Sequence, residues 1–237
     1  MKFLVISPHP DDSDFGAAGC VAKLTKEGNV VEYLIVSDGS KGSHVVGFGG
    51  KKLALIREKE QKAAAKTVGV SKVTFLRETD GEIENTPQLR KKLVKEIRRI
   101  KPDCVMSFDP SSLQFDSVYR SHRDHRLVAE AAFDAVYPAV GNASFYPELI
   151  KQGYKPHQIK ELWFFASPRP NKRIDITKTI DTKIAALYCH ESQMGNMREF
   201  EKFIRNRCKA EAKKGTFRSK QGVVYAEAFR VIDFTHK

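Results

Sequence analysis

The sequence predicts an α/β fold of the Rossmann-like kind, a mostly parallel sheet with helices on both faces and additional strands and helices towards the C-terminus. Two observations carry this expectation. Short apolar runs rich in β-branched residues alternate with longer stretches of helical period, the pattern of βαβ units feeding a parallel sheet. A chain of 237 residues with 41% hydrophobic content also suits one large domain spanning residues 1–237.

The elements follow in order. Strands are expected at Phe3–Ile6, Val30–Val36, Lys72–Leu76 and Asp103–Phe108, with helices near 15–27, 51–68 and 87–100 between them. The third helix shows its period plainly, with Leu89, Leu93, Ile97 and Ile100 on one face and basic residues on the other. A fourth helix is expected to start near His122 and run through Ala135, stopped by Pro138. From Tyr137 to Gln158 the pattern weakens into Pro, Gly, Asn and aromatic residues, which reads as a long surface excursion. Regularity returns with a strand at Ile159–Ala166, helices near 177–188 and 197–214, and a closing strand at Val223–Val231.

Composition narrows the function classes. There is no uncharged apolar run of membrane-spanning length, and Phe3–Ile6 is far shorter than a secretory apolar segment, so a cytoplasmic protein is expected. Cys20, Cys104, Cys189 and Cys208 are scattered without a CxxC pair, which argues against a disulfide framework and a cysteine zinc site. The excess of 41 Lys+Arg over 29 Asp+Glu gives +12. That charge is diffuse: Arg90-Lys91-Lys92, Arg98-Arg99 and Lys213-Lys214 read as solvated faces of amphipathic helices, and a nucleic-acid partner is not expected. The sequence leaves assembly into homo-oligomers open.

Ligands of open α/β sheets bind at the carboxyl ends of the parallel strands. Histidines and carboxylates concentrate there. The first strand leads into Ser7-Pro8-His9-Pro10-Asp11-Asp12, the second into Ser37 through His44, and the fourth into Asp109 through His125; His190 follows a later helix, and His157 and His236 look incidental. A catalytic zinc takes three protein ligands and leaves a position for water. His9 and Asp12, three residues apart across a strand-to-helix turn, can converge on one point, and Asp11 beside them is placed to accept a proton from water. His122-Arg123-Asp124-His125 supplies a further ligand, because histidines at i and i+3 share a helix face. If one ligates, the other can stabilise an oxyanion as an imidazolium and protonate a leaving amine, with Asp124 holding its charge state. Singly, each motif has a plainer reading, Asp12 as a helix N-cap, His9-Pro10 as a turn, and His122 and His125 as surface residues. Two such clusters at strand ends of one domain point to a metal site.

These segments, with Arg57-Glu58-Lys59-Glu60 in the second helix and His190-Glu191-Ser192-Gln193 near the end, resemble the PIG-L/LmbE family of zinc-dependent N-acetylglucosaminyl deacetylases. The resemblance implies a zinc ion and hydrolysis of an N-acetyl group on a glucosamine-type sugar or glycoconjugate. It makes His9, Asp12 and His125 the metal ligands, Asp11 the base, His122 the oxyanion stabiliser and acid, and Asp124 its tuning partner. Arg57 and Asp80 become substrate-binding candidates. Two histidines and an aspartate also accept Fe2+. The chain departs from the family pattern at Arg123, where proline is frequent, and at Ala18-Gly19 in place of Gly-Gly. A dinucleotide-binding oxidoreductase is the rival reading of the same architecture, but the first strand lacks GxGxxG.

Overall fold

The computed structural model describes residues 1–235 apart from 44, 112, 114, 116, 196 and 216–221. Five parallel strands form its centre: β1 (Lys2–Ser7), β2 (Val30–Ser37), β3 (Lys72–Glu78), β4 (Cys104–Phe108) and β5 (Glu161–Phe165). Two further strands, β6 (Lys172–Asp175) and β7 (Ala226–Asp233), complete one sheet in the order β3-β2-β1-β4-β5-β7-β6, with β7 antiparallel to both its neighbours. The chain winds outward from β1 to β3, then returns to β4 on the other side of β1. The crevice between the carboxyl ends of β1 and β4 is therefore the topological switch point, where ligands of such sheets bind.

Alternation along β1 builds the two faces of the core. Leu4 and Ile6 pack with α3 (Pro87–Ile100) and α5 (Arg123–Asp134). Phe3 and Val5 face the opposite side, towards α1 (Asp12–Lys26), α2 (Gly50–Thr67) and α7 (Ile180–Tyr188). Near-continuous burial of β1, β2 and β4 is what a sheet covered on both faces requires. Gly16 and Gly19 let α1 lie close on its neighbours: a Cβ would stand 2.5 Å from Phe165 Cδ2 at position 16 and 2.7 Å from Ile176 Cδ1 at position 19. Gly19 is thus sterically required, while Ala18 is accommodated in the core.

The expected elements are present, with the following additions and corrections. The helix near His122 begins at Arg123 and its regular part ends at Asp134; the turn that follows, Ala135–Val140, is kinked at Tyr137, which takes the extended conformation (φ −136°, ψ 122°) favoured before proline. The excursion after it carries a short helix, α6 (Pro147–Lys151), and β6 was hidden in a four-residue run without apolar alternation. Arg98, read as part of a solvated face, is 1% exposed. Its Nε donates to Val140 O at 3.1 Å and its Nη2 to Ala139 O, Asn142 O and Phe145 O at 2.9–3.1 Å, holding the turn that follows α5. A short helix, α4 (Val118–Ser121), lies between β4 and α5, and α8 (Met197–Ala212) packs on α7 through Ile204 and Cys208. No helix among the described residues is long and apolar enough to cross a membrane.

Candidate active site and metal centre

The turn after β1 is folded tightly. Asp11, the residue before α1, has φ 106° and ψ −35°, a region costly for any side chain larger than glycine and one that persists only where surroundings enforce it. The enforcement comes from α2. Arg57 Nη2 donates to Pro10 O at 2.7 Å and approaches Asp11 Oδ2 at 3.3 Å, its Nη1 donates to Gly39 O at 3.0 Å, and Gln61 Oε1 accepts the Asp11 N–H at 2.8 Å. Asp12 occupies the first turn of α1 and caps nothing with its side chain.

His9, Asp12 and His125 meet at the switch point. His9 Nδ1 lies 3.1 Å from Asp12 Oδ2, His125 Nε2 lies 3.2 Å from the same oxygen, and the two ring nitrogens are 3.3 Å apart. The other nitrogen of each ring faces acceptors: His9 Nε2 stands 3.1 Å from Asp80 Oδ1 and 3.2 Å from Asp124 Oδ2, and His125 Nδ1 stands 2.6 Å from Tyr119 O. With a cation bound between them, each ring would keep its proton on the side that holds only acceptors and leave His9 Nδ1 and His125 Nε2 to offer lone pairs. Two lone pairs and a carboxylate oxygen then face one another, an arrangement that suits a cation. The triangle matches the spacing of about 3.3–3.4 Å that bonds of about 2.0–2.1 Å would give between ligands of a tetrahedral zinc. His9, Asp80 and Asp124 also converge closely enough to hold a metal, as do His9, His122 and His125. The acceptors around His9 Nε2 suit them better to orienting the ring than to sharing its lone pair.

The charges of the cluster follow from this crowding. Burial opposes an imidazolium at His9, but the carboxylates of Asp12, Asp124 and Asp80 outweigh it and raise its pKa well above the ordinary value. Burial would raise Asp12, yet His125 and His9 hold its carboxyl far below the usual range. Asp80 is lowered to about 2, where the charge of His9 overcomes burial. Asp11 moves the other way: burial raises it, and the Arg57 guanidinium only partly offsets this. A carboxyl raised towards neutrality is a better proton acceptor than an ordinary one.

His122 sits at the N-cap of α5, exposed to the cavity, with its ring 5.0 Å from that of His9. Its Nδ1 accepts the Asp124 N–H at 3.2 Å, so Nε2 carries a proton that can be donated. Burial and the neighbouring His125 and His9 lower its pKa, which disfavours the expected imidazolium, while Asp124 and Asp12 act in its favour. Asp124 acts on the charge of His122 across space, without a side-chain hydrogen bond to it. Its backbone N–H bonds His122, and its carboxylate accepts the Gly81 N–H at 2.7 Å and faces His9. Arg57 lies beneath the turn with 3% exposure and Asp80 beside His9, where its Oδ2 also accepts the Lys41 N–H at 2.9 Å. Arg123 points away from His122. It is half-exposed and donates to Ile83 O, bracing the loop that carries Asp80.

A cavity of about 340 Å³ opens over these residues, walled by Phe15, Tyr119, Lys41, Gly42 and Gln193. Phe15, Tyr119 and Gln61 carried no signal in a single sequence, since an aromatic or an amide becomes meaningful only once folding sets its neighbours. His190, flagged by its motif, lies wholly buried behind the turn, 2.9 Å from Asp14 Oδ2. His157 bonds Pro102 O at 2.7 Å at the far end of the sheet, and His44 and His236 lie outside the described residues.

A family model described as GlcNAc-PI de-N-acetylase (PIG-L) matches residues 4–136. The chain is 36% identical over 192 residues to the diacetylchitobiose deacetylase of Thermococcus kodakarensis, covering 81% of this chain and 70% of that protein. The solved structure of N,N'-diacetylchitobiose deacetylase from Pyrococcus horikoshii, in complex with an inhibitor, superposes with a TM-score of 0.88 at 31% identity, covering 98% of this chain and 84% of the other. The 4-oxalmesaconate hydratase of Pseudomonas putida is 26% identical over 97% of this chain and 88% of its own. With its matched segment containing β1, the strained turn and the His122–His125 cluster, this chain belongs to the PIG-L family and is an enzyme.

Proposed function

We propose that the protein, acting as one domain over residues 1–237, hydrolyses the acetamide of a glucosamine-type sugar or glycoconjugate, releasing acetate and a free amine. One observation carries the reading: His9 Nδ1, His125 Nε2 and an Asp12 carboxylate oxygen lie 3.1–3.3 Å apart, with the Asp11 carboxylate next in sequence and His122 across the cavity. His9, Asp12 and His125 would hold a divalent ion, zinc by the chemistry of two nitrogens and one oxygen, with Fe2+ also accommodated. When bound, the ion supplies a Lewis acid and lowers the pKa of water.

The chain's own groups account for the remaining steps. Asp11, with its raised pKa, takes the proton of the attacking water. His122 Nε2–H donates to the carbonyl oxygen as negative charge develops there. The proton held at Asp11 is then available to the departing nitrogen, a role that fits its raised pKa better than it fits a neutral His122. Asp80 and Asp124 keep the His9 proton on Nε2, and Arg57 keeps Asp11 in place. Arg57 and Asp80 also border the cavity, where they can meet sugar hydroxyls.

The test is acetate release from N-acetylated glucosaminides by protein stripped of metal and reloaded with defined zinc or ferrous ion. Metal-restored release supports the reading. Hydration of 4-oxalmesaconate without release of acetate from any glucosaminide would replace it with that of a hydratase.

A further inference from the structure

The late motif His190-Glu191-Ser192-Gln193 has no part in the chemistry above, yet the chain docks it with care. Ser192 donates to Glu60 of α2 through both its N–H (2.8 Å) and its Oγ (2.7 Å). This delivers the His190 ring to Asp14, where Nε2 lies 2.9 Å from Oδ2, the one bond the ring makes among the described residues. Asp14 Oδ2 also accepts Gln61 Nε2–H at 2.8 Å, and Oδ1 accepts the Tyr33 hydroxyl at 3.3 Å. The other end of the Gln61 amide holds the Asp11 N–H. Asp14, Gln61 and His190 are all fully buried, drawn from α1, α2 and the turn after α7.

The amide is pinned at both ends. Its nitrogen donates to the Asp14 carboxylate, which turns its oxygen towards Asp11, and the Asp11 N–H meets that oxygen in the strained conformation with φ 106°. We infer that Asp14, Gln61 and His190 form a positioning relay that holds the Asp11 carboxylate at the reacting centre, and that His190 acts through Asp14 and Gln61 to set the rate. The inference rests on the reading of Asp11 as the base. A displacement of about 1 Å at a reacting group costs on the order of 100-fold in rate.

Full-length, metal-loaded Gln61→Met and His190→Met test it, each removing the hydrogen bonds at similar volume, with His190→Gln restoring an N–H donor near the position of Nε2. Three quantities are read: kcat and KM for acetate release, bound metal per chain, and hydrogen exchange of the Asp11 backbone amide by NMR. The expected result is kcat lowered tenfold or more in both Met variants with KM within about twofold, metal content unchanged and Asp11 exchange at least tenfold faster, with His190→Gln within about threefold of wild type. Variants that lose only melting temperature, keeping kcat per folded molecule and Asp11 exchange at wild-type values, would overturn it. If the wild type releases no acetate, the base reading fails on its own, and the exchange rates still decide whether the relay grips Asp11.

Discussion

Arg57 and Arg98 are buried to nearly the same degree, at 3% and 1% exposure, and both donate to backbone carbonyls of a loop. They stand at opposite ends of the sheet. Arg98, at the end of α3, gathers the carbonyls of Ala139, Val140, Asn142 and Phe145 after α5, adding a charged donor to a turn in which backbone N–H groups also reach the first three. Arg57 gathers Pro10 and Gly39 but also faces Asp11 at 3.3 Å and Asp80 at 3.9 Å. One cation fixes the shape of a loop; the other fixes a loop together with the charges on it. The lesson is that burial of an arginine does not reveal its use, while the carboxylates around it do.

The largest expected effect tests whether the turn under Arg57 carries the chemistry at all. Asp11→Ala should keep its metal and lose about 10²–10⁴-fold in kcat, the range for removal of a general base; full activity would leave Arg57 and Arg98 equivalent. Next, Arg57→Met should lower kcat by about 100-fold through displacement of Asp11. Arg98→Met should leave kcat per folded molecule unchanged and lower unfolding free energy by about 1–3 kcal/mol as carbonyls lose a donor, read from urea midpoints. A pH series sharpens the contrast in metal-free protein. Asp80 has a folded pKa of about 2, below its unfolded value of about 3.9, so its stabilising contribution is present above about pH 4 and is lost as pH falls towards 2, up to about 2 kcal/mol. Asp80→Asn should flatten that acid limb, whereas Arg98→Met should run parallel to wild type because a guanidinium stays charged throughout. Smallest of all, Arg123→Ala should change kcat/KM by less than about fivefold, since its brace is half-exposed.

The sequence made much of this molecule readable and hid the rest for physical reasons. The central strands and their helices were legible because each repeats its apolar pattern within a few residues, as α3 does at Leu89, Leu93 and Ile97. His9, Asp12, His122 and His125 were legible because ligands and bases come from few residue types and cluster at strand ends. Arg98 was misread because it adjoins Arg99 on a basic helix, and only the returning loop after α5 reveals what buries it. Gln61 went unnoticed because a glutamine within a lysine-rich helix looks like solvent-facing filler. The tautomer of His122 depends on a backbone N–H at Asp124, a partner that no side-chain pattern encodes.

The hydrogen bond between Asp14 and His190 also sets an order of events during synthesis. At about 5–20 residues per second, roughly 10–35 seconds separate the emergence of the strained turn from that of the histidine placed behind it. His9, Asp12 and His125, together with Arg57 and Gln61, all precede His190 in the chain. A nascent polypeptide therefore exposes every candidate metal ligand before it can seat its base. On the proposed roles of Asp11 and the relay, ion capture and catalytic competence would be separable in time, with His190 completing the second.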